Sequence, residues 1–329
     1  MQAQDNSRSL EVEAAWRLLL LNWIMIAGMG AALVLGLMLT DFSIGLSGLA
    51  VAGCYVGLYA GFAHANARSP NRRDPQVIFV LAGIAQAVLI TALMTPLTYI
   101  AASIDWPLQD GNLLAIDRVL QLDWAAYVGF VDAHPTLADW LSIGYTMIRW
   151  PIFAVPVILA AKHAYRRIEE FIFAFGAALI VTTIISALVP AIGVYQQIGL
   201  DPSALHNLDP QAYIEQLRDL PPTRTGTLRH LDLMGLAGIV TFPSFHAASA
   251  VLYAWALWPV KWARPIAILA NGAMLAATPI IGGHYFIDLF AGIAIAVIAI
   301  AGARKIGRVV EDHSLRAGIT PAAAGAPSK

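Results

Sequence analysis

The stretch HYFIDLFAGIAIAVIAIAGA, residues 284–303, decides the fold. Beyond His284 and Asp288 near its start it is an apolar run about as long as the roughly 20 residues a helix needs to cross the hydrocarbon of a bilayer. Arg304 and Lys305 follow at once, as at a membrane surface. Similar runs lie upstream at 18–39, 44–63, 77–100, 137–161, 171–194, 244–260 and 265–281. The runs at 244–260 and 265–281 are short and carry Trp255, Trp258, Asn271 and Pro279. Composition agrees: 58% of the 329 residues are apolar and 12% charged, where soluble domains carry roughly 25% charge. The expected fold is all-α, a polytopic membrane helical bundle of about eight spans.

Cytoplasmic loops retain Lys and Arg, and here the bias is strong. One side takes Arg8 and Arg17, Arg68, Arg72 and Arg73, Lys162, Arg166 and Arg167, Lys261 and Arg264, and the tail cations Arg304, Lys305, Arg308, Arg316 and Lys329. The other side has Arg118, Arg218, Arg224 and Arg229, and Arg149 lies within a span. Both termini are therefore expected in the cytoplasm, with the first apolar run a retained span rather than a signal peptide.

Two non-cytoplasmic connections are long. Residues 101–136 include an amphipathic helix around Leu113, Leu114, Ile116, Val119 and Leu120 that can lie at the interface and shield the rim of the bundle. Residues 195–242, with Pro202, Pro210, Pro221 and Pro222, read as an ordered cap or lid. Gly53, Gly57 and Gly61, four residues apart, predict close approach of a neighbouring helix. Three parts are expected: N-terminal spans and interfacial helix over 1–136, a catalytic bundle over 137–303, and a disordered cytoplasmic tail over 304–329. The single Cys54 excludes an internal disulfide framework and a cysteine metal cluster. A net charge of −1 with no basic stripe gives nucleic acid binding no support.

Two polar clusters begin spans on the non-cytoplasmic side: Phe242-Pro243-Ser244-Phe245-His246, and Gly282-Gly283-His284-Tyr285-Phe286-Ile287-Asp288. The charge count that set the orientation used none of these residues. His284 and Asp288 are four residues apart, about one helical turn, and share a face. The carboxylate can hold one imidazole nitrogen, fix the tautomer and leave the other nitrogen to attack an electrophile such as phosphorus. The bland reading of such a pair is a hydrogen-bonded helix start. Ser244, the exposed amides of a helix start and the backbone of Phe245 can hold an anion, and Gly283 lets the backbone approach it. Protonated His246 can supply a proton to a departing alkoxide.

At these residues the chain resembles the type 2 phosphatidic acid phosphatase superfamily, over roughly residues 137–303. It is most similar to the branch of inositol phosphorylceramide synthase (the aureobasidin-resistance protein) and bacterial inositolphosphotransferase-like proteins, which share F-P-S-x-H and H-Y-x-x-D. The resemblance implies a phosphatidic-acid-phosphatase-like catalytic core that cleaves a lipid phosphate or phosphodiester. His284 would be the nucleophile forming a phosphohistidine, Asp288 its partner and His246 the acid. Water as acceptor makes a lipid phosphatase; an alcohol makes a headgroup phosphotransferase. No metal or other cofactor is implied, and the partners are membrane lipids. The bacterial relatives imply an inner-membrane protein with its site facing the periplasm.

Three departures bear on the phosphate clamp. Phe245 stands where the superfamily has Gly, Ala277 and Thr278 occupy the S-R positions, and no K-x6-R-P occurs. Arg149 and Arg229, with Arg224, are the cations available as substitutes on the correct side. Arg229 reads equally as a solvated loop cation or a lipid-headgroup contact. Arg149 costs roughly 2.5–3.5 kcal/mol to insert in a span; it faces the active cavity with Tyr145, snorkels, or pairs with an acid such as Asp117 or Asp123. The alternative function is a membrane transporter or lipid-binding protein without hydrolysis, motivated by Arg149, Gln86 and Asn271 within spans.

Overall fold

The computed structural model describes residues 2–69 and 73–318. The chain runs α1 (Gln2–Leu39), β1 (Ser43–Ile44), α2 (Leu46–Arg68), α3 (Pro75–Ala102), α4 (Asp110–Val119), α5 (Trp124–Asp132), α6 (Pro135–Thr146) and α7 (Pro151–Ala160). It continues through α8 (Tyr165–Leu188), α9 (Val194–Ile198), α10 (Gln211–Thr225), β2 (His230–Leu231), α11 (Phe245–Leu257), α12 (Ala263–Ile281) and α13 (Phe286–Gly318).

Helices α1, α2, α3, α8, α12 and α13 are each long and apolar enough to cross a membrane, and α6 with α7 is long and apolar enough as a pair, bent by 65° at the break between them. The protein is an integral membrane protein built as an all-helical bundle. The apolar segment expected at 244–260 differs from the other seven: α11 has 13 residues and rises only about 20 Å, short of the roughly 30 Å hydrocarbon layer.

α8 is the central helix, packed against α1, α3, α7, α11 and α13. Its buried Ile168, Phe171, Ile172 and Phe175 join Phe79, Ile90 and Tyr253 in the main core. Several buried polar side chains on these helices donate to neighbouring helices or to their own backbone, which offsets the cost of burial at low dielectric. Asn22 donates to the carboxyl and the carbonyl of Glu169, Gln86 to the Leu19 carbonyl and Asn271 to the Ala267 carbonyl. Gln86 and Asn271 thus serve helix backbones, and neither opens onto the cavity described below.

α2 lies at the edge of the bundle against α3. An added Cβ at Gly53, Gly57 or Gly61 would meet nothing within 4 Å. The expected close helix approach is absent among the described residues, because α2 turns that face outward.

The ends of the bundle differ. At one, the Arg166 amide donates to Glu11 and its guanidinium pairs with Glu311, joining the starts of α1 and α8 to the far part of α13. Residues 304–318, expected in a disordered tail, continue α13. Helix-forming residues extend it, and the Glu311 pair anchors it. Residues 319–329, with the tail prolines, and Arg72 lie outside the described residues.

At the other end the two long connections fold into a cap, as the sequence suggested for 195–242. Asp219 of α10 accepts from the Tyr99 hydroxyl at 2.7 Å and from Arg218 at 2.6 Å. β1 pairs in parallel with β2, and Asp132 accepts the amides of His206, Asn207 and Leu208. The cap has its own core of Leu113, Trp124, Val128, Tyr195, Tyr213 and Tyr285.

Candidate active site

The turn between α12 and α13 is fixed by groups other than the candidate catalytic side chains. A helix end leaves carbonyls without partners, and here aromatic donors supply them: Tyr127 bonds the Ala276 carbonyl, Trp124 that of Pro279 and Tyr195 that of Ile280. Gly283 follows at φ +66°, where an added Cβ would also overlap the Tyr213 ring. A Cβ at Gly282 would stand 2.6 Å from the His284 ring and 2.9 Å from the Tyr145 hydroxyl. Both glycines are needed for this turn to close.

α13 then starts under the control of α4. Asp117 is fully buried and accepts the Phe286 amide at 2.7 Å and the Ile287 amide at 2.9 Å, two of the donors that a helix start leaves open. Burial pushes the Asp117 carboxyl up from its ordinary value, and the two amide bonds pull against that rise. Asp110, on the first turn of α4, accepts the Tyr285 hydroxyl at 2.9 Å and the amides of Ile192 and Gly193. The amphipathic helix expected to shield the rim is therefore also the bracket that sets the register of His284 and Asp288.

His284 Nδ1 lies 3.1 Å from Asp288 Oδ2, which also accepts the Tyr285 amide at 3.0 Å. The two side chains are 4% and 0% exposed. A proton on Nδ1 donates to the carboxylate and leaves the Nε2 lone pair free. The Ser244 amide donates to the Asp288 carbonyl at 3.0 Å, docking the start of α11 onto α13. His246, on the first turn of α11, stacks on Tyr145 with ring centroids 4.1 Å apart.

His284, His246, Tyr145 and Arg149 open onto one cavity of about 330 Å³, bounded by α3, the α6–α7 bend, α8, α10 and α11. Its deeper wall is apolar, with Met94, Ile152, Phe175, Leu179 and Phe245. The bend supplies the cation. Pro151 starts α7 without an amide hydrogen, so the α6 ladder stops, and the Tyr253 hydroxyl takes up the Ile148 carbonyl at 2.9 Å. Irregular backbone at membrane depth is stable where it borders a cavity. Arg149 sits in this break and lines the cavity.

Residues 111–302, more than half of the chain, match a family model described as the PAP2 superfamily. The chain belongs to the PAP2 superfamily. No curated protein and no solved structure matches it. Membership points to phosphatase or phosphotransfer chemistry on phosphoesters. The PAP2 match begins within α4, upstream of the 137–303 stretch read from the sequence, and so takes in the Asp117 bracket.

The cavity separates the sequence expectations residue by residue. His284 and His246 face the cavity, and Asp288 stands directly behind His284. Arg149 also faces it and has no carboxylate partner among the described residues. Asp117, its suggested partner, holds the start of α13, and Asp123 caps α5 through the Ala126 amide. Phe245 lines the cavity and packs edge-on against Phe175, and the amides of Phe245 and His246 have no partner among the described residues.

Ser244, Gly283 and Arg229 are placed otherwise. The Ser244 hydroxyl is buried and caps α11 by accepting the Ala247 amide. Gly283 shapes the turn beneath Tyr213. Arg229 lies over the Phe42 ring and donates to the carbonyls of Thr223 and Leu228, bracing the cap. Arg224 is likewise held by Asp105 and the Trp106 carbonyl.

Proposed function

We propose that the protein cleaves a phosphoester of a membrane lipid by passing its phosphoryl group through His284, with Asp288 and His246 as partners. The observation that carries this reading is the His284–Asp288 contact at the wall of a cavity lined by both polar and apolar side chains and shared with His246 and Arg149.

In the first step Nε2 of His284 attacks phosphorus and the bond to the leaving oxygen breaks. His246 gives that oxygen its proton, and Asp288 stabilises the charge on the phosphorylated imidazole. In the second step water or an alcohol attacks phosphorus, the P–N bond breaks, and the proton of the attacking hydroxyl passes to His246. Arg149 and the open amides at the start of α11 hold the equatorial oxygens, in place of the cationic motif the superfamily pattern contains. The apolar wall takes the lipid chains.

The F-P-S-x-H and H-Y-x-x-D patterns favour the inositolphosphotransferase-like branch, in which the acceptor is an alcohol. The positive loops favour a site on the non-cytoplasmic face with both termini in the cytoplasm, and the resemblance to bacterial proteins favours a bacterial inner membrane. Purified protein is expected to release phosphate, or exchange headgroups, on a panel of lipid phosphates and phosphodiesters, and the His284→Ala protein is expected to do neither. Full activity in His284→Ala contradicts the mechanism.

A further inference from the structure

The cavity holds one charge that this chemistry does not use. Glu215 projects from α10 into the space lined by Arg149, His246 and His284, and Tyr145 lies in the field of both Glu215 and Arg149. Glu215 forms no hydrogen bond or ion pair among the described residues. Its neighbours on α10 are committed: Gln216 to the Ile192 carbonyl and Thr241, Arg218 to Asp219, and Asp219 to Tyr99.

A free carboxylate repels a phosphate monoester, whose charge near neutral pH is about −1.5 to −2. Nothing in simple dephosphorylation calls for it. The α3 wall adds acceptors of the same kind. Thr91, Thr95 and Thr98 line the cavity, and their hydroxyls donate back to the carbonyls of Ala87, Thr91 and Thr95. A hydroxyl that has spent its one hydrogen offers only lone pairs. The polar lining of the cavity therefore divides in two. Arg149, His246 and the open amides donate, which suits phosphate oxygens. Glu215 and the threonines accept, which suits a group rich in N–H or O–H.

We infer that Glu215 is a specificity-determining residue that binds the alcohol moiety of a phosphodiester headgroup through its hydrogen-bond donors, either hydroxyls or an ammonium. This rests on the reading of the cavity as the lipid phosphoester site. It makes the preferred substrate a phosphodiester rather than a phosphate monoester.

The test reads binding apart from turnover. Short-chain phosphatidylinositol, phosphatidylethanolamine and phosphatidic acid are titrated into detergent-solubilised His284→Ala protein, with and without Glu215→Gln. Loss of a charge-assisted hydrogen bond predicts about tenfold weaker binding of at least one of the two donor-bearing lipids. The lipid affected shows whether hydroxyls or an ammonium is read. Phosphatidic acid is expected to bind a few-fold more tightly, because a like charge has gone. The same inversion is expected of Glu215→Ala, which covers poor folding of the first variant. Equal weakening of all three lipids, or no change in any, overturns the role of Glu215. Turnover of the same lipids by wild-type protein tests the cleavage reading separately. Inverted selectivity without turnover would remove that reading and leave Glu215 as a ligand-selecting residue.

Discussion

Asp288→Asn keeps a side chain of the same size beside His284 and removes its charge. An amide can orient the imidazole through the wrong tautomer and does not stabilise a cation, so kcat is expected to fall about 10²- to 10⁴-fold, as when an acid–base partner is lost. Protein stability should change little. Arg149 is separable from Arg229 by the same kind of measurement. Arg149→Ala is expected to raise KM for a lipid phosphate about tenfold or more, since a desolvated charge-assisted contact is lost. Arg229→Ala should leave KM unchanged and lower the melting temperature instead, because that side chain braces the cap over Phe42. Equal effects of the two variants on KM would sink the assignment of the clamp. At this scale the one-turn spacing of His284 and Asp288 was legible, and so was Arg149, since a cation inside a span requires a reason. Ser244 was legible as a helix start, but its hydroxyl is consumed by the Ala247 amide. Glu215 was not legible, because only the folding of α10 over the bundle brings it to the cavity.

Among the elements, α4 is the one whose role changed most between sequence and structure. Its mixture of apolar and charged positions marked a short amphipathic helix, and a helix forms there over Asp110–Val119. The partners of Asp117, however, lie 169 and 170 residues along the chain, a separation that no local pattern encodes. Asp117→Ala removes the cap of α13, with a cost of about 1 kcal/mol or more for such a cap, and lets the turn before α13, which carries His284, shift. A drop in kcat of about tenfold is expected, with lipid binding retained. Asp117→Asn, which keeps an acceptor oxygen for one of the two amides, should recover part of it. A loss of binding that tracks the loss of turnover would mean that α4 shapes the cavity rather than the histidine. The kinked α6–α7 span and short α11 explain why an apolar count alone described the bundle well and the site poorly. Both are apolar enough to read as ordinary spans, but the first is broken at Arg149 and the second is only 13 residues long.

For the whole molecule, α13 carries the site at its start and joins the Glu311–Arg166 cluster toward its other end, so the cavity and the cation-rich connections sit at opposite ends of the bundle. The orientation can be read with thiols once Cys54 is replaced by Ser. An impermeant maleimide added to intact cells is expected to label Asp201→Cys on the cap and to spare Lys162→Cys between α7 and α8. The reverse pattern would turn the site toward the cytoplasm. The central claim is the covalent step at His284. Wild-type protein mixed with a lipid phosphoester, quenched in alkali within one turnover and digested for mass spectrometry, is predicted to carry the phosphoryl group on His284 and on no other residue. Turnover that proceeds with no adduct at His284, and continues undiminished in His284→Ala, would contradict it.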